Sequence, residues 1–230
     1  CVTVTYKKDG EPSYHVDLVV YTYEDCADHD SQLYLARGKD SSADEIRWEK
    51  ADPVKLVDYI NDAIEQGDAR NQFRRVIRYL KRWKHLKFDS YGHAEPASIG
   101  ITLIGADYFE EAEEDLDALI GLVKSIQNLF RYQKTENNRM LYRLKYPMPC
   151  SLRFEYDTDA FEKMSDIQMT DFKDKIDKLV RDLDAVKKEP DEVEQCKKLQ
   201  KIFGDDFHVP NVEAVSKHQR NYIPSSSASG

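Results

Sequence analysis

One stretch of this chain limits its possible folds more than any other. Residues 14–21 read as a β-strand whose apolar run is interrupted by one acidic residue, Asp17. Because strand side chains alternate between faces, one face is predicted to belong to the core and the other to carry Asp17; the predicted core face consists of Tyr14, Val16, Leu18 and Val20. A carboxylate among apolar residues is costly to bury alone. We therefore expect Asp17 to be paired, to line a cleft or to bind a cation, the alternative being an edge-strand aspartate facing water.

Composition narrows the class of protein. The 230 residues are 40% hydrophobic, enough for one sizeable core or two small ones. A net charge of −9 argues against a surface devoted to nucleic-acid phosphates, so nucleic acid is not an expected partner. Without a long apolar run or signal-peptide features, the sequence favours a cytoplasmic protein with no membrane partner. The four cysteines are widely spaced and predict reduced thiols.

The hydrophobic period changes along the chain and predicts an α+β architecture. Residues 1–46 show the period of two that strands require, and residues 47–215 are mostly helical, with Asp52-Pro53 marking a helix start. Residues 133–139 are polar and predict a loop, and residues 216–230 predict a flexible tail. Because the chain enters directly in a strand, we expect residues to precede Cys1.

A strongly basic helix is predicted over about residues 71–85. Its apolar positions recur at helical spacing, and Arg74, Arg78 and Lys81 fall at i, i+4 and i+7 on one cationic stripe. Concentrated positive charge is expected where anions compensate it. Those anions are either the protein's own carboxylates or a polyphosphate ligand, and the pattern alone leaves both open.

A second candidate anion-binding residue follows the basic helix. Pro96 precedes a long apolar run that predicts a buried helix, and Ser98 falls in its first turn. There a hydroxyl and free backbone N–H groups together form an anion site. The alternative is that Ser98 only caps the helix.

Several stretches, in order along the chain, resemble the cGAS/DncV-like nucleotidyltransferases, which are bacterial cyclic-oligonucleotide synthases. Residues 15–21 look like the strand that carries the third metal-binding aspartate of the polymerase-β-like palm, and Trp48 with residues 51–53 looks like the linker into the helical domain. Residues 71–83 look like the helix whose lysine contacts the donor triphosphate, and residues 96–98 like the segment whose serine also does so. Residues 161–165 and 202–207 resemble segments near the end of these enzymes.

The resemblance implies a fold and a chemistry. Residues 1–46 would be the C-terminal part of the palm, and residues 47–215 a helical domain forming the other wall of a nucleotide cleft. Asp17 would bind Mg²⁺, or Mn²⁺ in its place, while Lys81 and Ser98 would hold the triphosphate beside Arg74 and Arg78. The substrates would be ATP and other nucleoside triphosphates. The resemblance further implies a role in anti-phage signalling and a regulatory partner protein.

The chain departs from the family pattern at the metal site. The family places two further carboxylates in an Asp-x-Asp motif after a Gly-Ser, well before the third aspartate, and only sixteen residues precede Asp17. Sequences of the form Asp-x-Asp occur only after Asp17 and lack the Gly-Ser. The chain is therefore expected either to be the C-terminal part of a longer enzyme or to be an inactive relative that binds nucleotide, nucleic acid or a partner protein through the basic helix.

Overall fold

A computed structural model describes residues 2–39, 42–89, 91–148 and 159–210 of this protein. For residues 2, 12, 37, 39 and 42–46 it describes the backbone alone. The chain divides into two compact units, one formed by residues 1–63 and 147–159 and the other by residues 64–146 and 160–230. Strands dominate the first unit and helices the second. The α+β prediction is confirmed.

Among its described residues, the first unit contains two small antiparallel sheets and one helix. Strands β1 (Val2–Lys8) and β2 (Glu11–Leu18) form a hairpin. Asp9 and Gly10 both have positive φ, as a two-residue turn of this kind requires. Strands β3 (Tyr21–Tyr23), β4 (Leu33–Lys39) and β5 (Ser42–Ala51) follow in that order, and helix α1 (Pro53–Asp62) begins after them. The Asp52 side chain accepts a hydrogen bond from the Lys55 amide and caps α1, as the sequence predicts.

The β1–β2 hairpin confirms that the apolar side chains of β2 share one face, but that face is not part of the core. Val4 pairs with Val16 and Tyr6 with Tyr14, so the apolar side chains do share a face, opposite Asp17. That face is not core, because Tyr14, Val16 and Leu18 are 60%, 44% and 54% exposed. Val20, expected on the same face, lies after the end of β2 and is also exposed. Within the described residues, no third strand or helix covers this two-stranded sheet.

The boundary between the two units differs from the position expected from the sequence, which lies between residues 46 and 47. Strand β5 continues through Trp48 to Ala51, and the compact units separate after Ala63. The first unit therefore includes the whole of β5 and also helix α1. The tail expected at 216–230 lies outside the described residues.

The second unit is a helical bundle with one hairpin. Its α-helices are α2 (Asp68–Lys87), α3 (Ser98–Tyr108), α4 (Asp115–Leu129), α5 (Asp166–Lys187) and α6 (Glu192–Phe203). A short 3₁₀ turn spans Tyr91–His93. None of the helices in the described ranges combines the length and apolarity needed to cross a bilayer.

Helix α3 lies at the centre of this bundle. Residues 100–106 are all buried, which matches the uninterrupted apolar run predicted as a buried helix. Phe172 of α5 contacts three other aromatic rings, with centroid distances of 5.4 Å to Phe130, 5.8 Å to Phe88 and 6.1 Å to Phe161. These ring contacts pack α5 against the C-terminal ends of α2 and α4 and against the segment before α5.

The prediction of a loop over residues 133–139 is wrong. Strands β6 (Arg131–Glu136) and β7 (Arg139–Arg143) form a hairpin there. Asn137 and Asn138 both have positive φ, which asparagine tolerates better than most residues. All six residues of β6 are exposed, so the strand lacks the apolar alternation that would have identified it.

Candidate functional site

Helix α2 has a buried apolar face, and most of its cations lie outside that face. Its buried apolar side chains are Phe73, Val76, Ile77, Leu80 and Trp83. Three cations are compensated inside the protein: Arg75 by Asp115, Arg82 by Asp206 and Lys84 by Glu95, each with a nitrogen–oxygen distance of 2.6 Å. Much of the positive charge on α2 thus neutralises the protein's own carboxylates.

The predicted cationic stripe is the exception. Among the residues that the structure describes, no carboxylate forms an ion pair with Arg74, Arg78 or Lys81. Arg74 and Arg78 are exposed, whereas Lys81 is half-buried. Burial, together with the charge of Lys84, lowers the pKa of the Lys81 ammonium. An anion placed at Lys81 would offset both effects, because it would stabilise the charged form.

Ser98 is the first residue of α3, and its hydroxyl is hydrogen-bonded to Lys84. The Lys84 ammonium, only 8% exposed, donates hydrogen bonds to Ser98 Oγ at 2.8 Å and to the Pro96 carbonyl at 3.1 Å. Its third contact is Glu95, at 2.6 Å. An ammonium has three N–H groups, so these three contacts use all of them. Lys84 therefore positions Ser98 and the residues before it.

This arrangement determines what the Ser98 hydroxyl can do. A lysine ammonium only donates, so Ser98 Oγ accepts from Lys84 and its own proton remains to be donated elsewhere. The helix cap, Ala97, makes no side-chain hydrogen bond to the first turn of α3. The hydroxyl proton and the first N–H groups of α3 are thus donors suited to an anion.

Sequence reasoning missed Lys84, although a signal was present. Counting from Phe73, the buried positions Ile77 and Leu80 follow at four and seven residues, and the next position of that pattern is Lys84. A lysine on an apolar stripe must be paired if it is buried. Glu95 and Ser98 supply that pairing.

Asp17 is held at the surface of the hairpin. Thr3, directly across on β1, donates its hydroxyl to Asp17 Oδ1 at 2.6 Å, and His15 Nε2 lies 3.9 Å from Oδ2. The described residues contain no group of three or more His, Cys, Asp or Glu side chains that could hold a metal. One carboxylate and a threonine do not make up a magnesium site, because Mg²⁺ bound by proteins needs further oxygen ligands. The described donor set therefore does not fit Mg²⁺ or Mn²⁺ by itself.

Solved structures of similar fold cover most of this chain. The Vibrio cholerae DncV cyclic AMP-GMP synthase, a prokaryotic cGAS homolog, matches with a TM-score of 0.60 and 21% identity over 86% of this chain and 49% of that chain. The same enzyme in complex with the linear intermediate 5' pppA(3',5')pG matches with a TM-score of 0.57 and 19% identity over the same shares. The chain has a cGAS/DncV-like nucleotidyltransferase fold. The resemblance read from the sequence is confirmed at the level of the fold.

A sequence relative points the same way. Over 79 residues, the chain is 25% identical to the cyclic GMP-AMP synthase of Escherichia albertii, a match that covers 34% of this chain and 18% of that protein. No family model matches. The chain spans about half the length of the cGAS/DncV-like structures it resembles, 49% of the first. These comparisons do not assign roles to Asp17, Arg74, Arg78, Lys81 or Ser98, which stay predictions.

Proposed function

We propose that this chain is part of a nucleotidyltransferase that joins ATP and other nucleoside triphosphates into cyclic di- or trinucleotides and releases pyrophosphate. The fold supports this proposal, because it matches solved structures of a cyclic AMP-GMP synthase. The curated relative, named as a cyclic GMP-AMP synthase, supports it as well.

The observation that carries the proposal is the hydrogen bond from Lys84 to Ser98. It turns the Ser98 hydroxyl proton away from the ammonium and leaves it to donate to a phosphate oxygen beside the first turn of α3. Lys81 lies one helical turn before Lys84, has no ion pair within the described residues and is half-buried. A triphosphate held there would gain a hydroxyl donor and an uncompensated cation.

Arg74 and Arg78 extend this site along α2. They continue the unpaired stripe of Lys81, so a polyanion reaching beyond the first turn of α3 would meet them next. Electrostatic stabilisation of the leaving pyrophosphate is the largest contribution such groups can make to this reaction. In this proposal the role of the chain's own residues is to bind and orient the triphosphate.

Asp17 is proposed as one carboxylate ligand of a catalytic metal ion whose remaining ligands lie outside the described residues. We extend the proposal to bacterial anti-phage signalling and to control by a partner protein, for which the resemblance alone provides support. The alternative is an inactive relative that binds nucleotide, nucleic acid or a partner protein through α2.

The test is to incubate the complete protein with labelled ATP, the other nucleoside triphosphates and Mg²⁺, and to separate the products after phosphatase treatment. A phosphatase-resistant nucleotide is the expected product, and we expect Ser98→Ala to lower its rate of formation by about tenfold or more. A parent protein that binds ATP yet forms no such product would favour the non-catalytic alternative.

A further inference from the structure

A second cationic region lies in the helical unit, away from the Lys84–Ser98 pair. A cavity of about 480 Å³ opens between α2, α5 and α6, a volume in the range of small-molecule sites. Its floor consists of Trp83, Leu179 and Ile202, which are all buried. Its charged lining is five lysines and one aspartate: Lys87, Lys175, Lys178, Lys198, Lys201 and Asp182. This balance is the reverse of the chain's net charge of −9.

Three of the lysines have partners within the protein. Lys175 donates to the Lys87 carbonyl at 2.5 Å and lies 3.9 Å from the centre of the Phe88 ring. Lys178 pairs with Asp182 at 2.5 Å, and Lys198 pairs with Glu189 at 2.6 Å. These contacts hold the three side chains on the walls of the cavity.

Lys87 and Lys201 differ, because neither has an ion pair among the described residues. Each lies in the last turn of its helix, α2 or α6, where a cation offsets the negative end of the helix dipole. Two helix ends amount to about one negative charge in total. Even with Asp182 and the Glu189 that pairs with Lys198 counted, the five lysines exceed the negative charge on this side of α2 and α6. An anion bound in the cavity would offset that excess.

Carboxylates in an adjoining cavity indicate on which side of Lys87 and Lys201 the anion would bind. Lys87 and Lys201 also line an adjoining cavity, where Asp205 and the Arg82–Asp206 ion pair lie. Those carboxylates disfavour a second anion on that side. An anion bridging Lys87 and Lys201 is therefore expected on the side of α5, above the apolar floor.

We propose that the cavity between α2, α5 and α6 binds a small organic phosphate. Two or more phosphate groups would lie between Lys87 and Lys201, and the organic part would rest on the floor formed by Trp83, Leu179 and Ile202. This site shares no lining residue with the proposed triphosphate site, since Lys81, Lys84 and Ser98 are absent from it.

The experiment uses Trp83 as a local reporter. The chain has two tryptophans, so Trp48→Phe leaves Trp83 alone to fluoresce. Ser98→Ala is added to weaken binding at the proposed triphosphate site. In this background, pyrophosphate and ADP are titrated against Trp83 emission and by calorimetry. Both are expected to bind, with ADP at least about threefold tighter because its nucleoside covers apolar surface.

Two double variants decide where the ligand binds. Lys87→Gln/Lys201→Gln should weaken ADP binding by about tenfold, because two charge-assisted contacts are lost. The matched control, Lys163→Gln/Lys188→Gln, removes the same charge from exposed positions outside the cavity and should change the dissociation constant by less than about twofold. Equal weakening by the two double variants, equal affinity for ADP and pyrophosphate, or no binding of either would overturn the proposal.

Discussion

At the scale of single residues, Lys84 shows how burial assigns roles that spacing alone does not. The sequence places eight lysines and arginines on α2 without distinguishing which are buried, and the family resemblance favoured Lys81 for the triphosphate. The structure shows that Lys84 is buried and fully hydrogen-bonded, whereas Lys81 is half-buried without an ion pair in the described part of the chain. The apolar spacing of α2 indicates that Lys84 is buried, but its contacts with Glu95 and Ser98 depend on how the start of α3 packs on α2, which that spacing does not encode.

Glu95 provides a test of this distinction. Its carboxylate faces Lys84 and would repel a triphosphate near Ser98, so Glu95→Gln is expected to tighten ATP binding by about threefold to tenfold. Glu162→Gln, which changes the same charge at an exposed position, is the control. Calorimetric titration with ATP measures both, and weaker binding by Glu95→Gln would show that the carboxylate supports the site.

Gly100 tests how closely α3 is packed. A Cβ atom at Gly100 would lie 2.4 Å from the nearest ring carbon of Phe161, which is only 1% exposed and cannot move aside. Gly100→Ala is expected to lower the free energy of unfolding by about 1–3 kcal/mol.

Gly121 on α4 is the matched control for that substitution. A Cβ atom at Gly121 would have open space around it, with no atom of the described residues within 4 Å, so Gly121→Ala should raise stability by about 0.5–1 kcal/mol through helix propensity. Urea unfolding measures both variants. Equal effects at the two positions would contradict the close contact between Gly100 and Phe161.

At the scale of elements, helices were predicted well and one hairpin was missed. Helices α5 and α6 both lie within residues 47–215, which the hydrophobic period predicts to be mostly helical. Both helices have regular apolar spacing, and their caps, Ser165 and Asp191, are of residue types that favour helix starts. The β6–β7 hairpin has an exposed strand, so its only local signal was the Asn137-Asn138 turn.

The ion pair between α2 and α4 is expected to make the stability of the folded state depend on pH. Arg75 donates two hydrogen bonds to Asp115, at 2.6 and 2.8 Å, and Gln72 donates a third at 3.2 Å. The Arg75 hydrogen bond, with a smaller contribution from Gln72, lowers the pKa of the Asp115 carboxyl, although burial opposes it. A carboxyl with a lowered pKa stabilises the folded state above its unfolded pKa, and this stabilisation is lost as pH falls through the folded pKa.

We therefore expect Asp115→Asn to cost about 1 kcal/mol at pH 7 and progressively less as the pH falls below about 4. Unfolding by urea at pH 7, 5, 4 and 3 measures the change. Asp205→Asn, at an exposed carboxylate without an ion pair among the described residues, should show no such trend. A cost for Asp115→Asn that is the same at every pH would rule out the ion pair as its origin.

At the scale of the whole molecule, the fold class followed from the sequence, but the division into units did not. The change of hydrophobic period separated strands from helices. It did not reveal that residues 147–159 belong with the first unit, because such a return is set by contacts distant in sequence. The alternation around Asp17 correctly predicts that β2 has an apolar face opposite Asp17, yet that face is exposed, because alternation predicts that two faces differ and not what covers them.

The proposed function requires the helical unit to hold a nucleoside triphosphate between α2 and the start of α3. Its most direct test is the dissociation constant of ATP, measured by calorimetry for the complete protein and for Lys81→Ala, Ser98→Ala and the exposed control Lys188→Ala. We predict that Lys81→Ala and Ser98→Ala each weaken binding by about tenfold and that the control leaves it unchanged. ATP binding of equal strength in all four proteins would show that the triphosphate does not bind at Lys81 and Ser98.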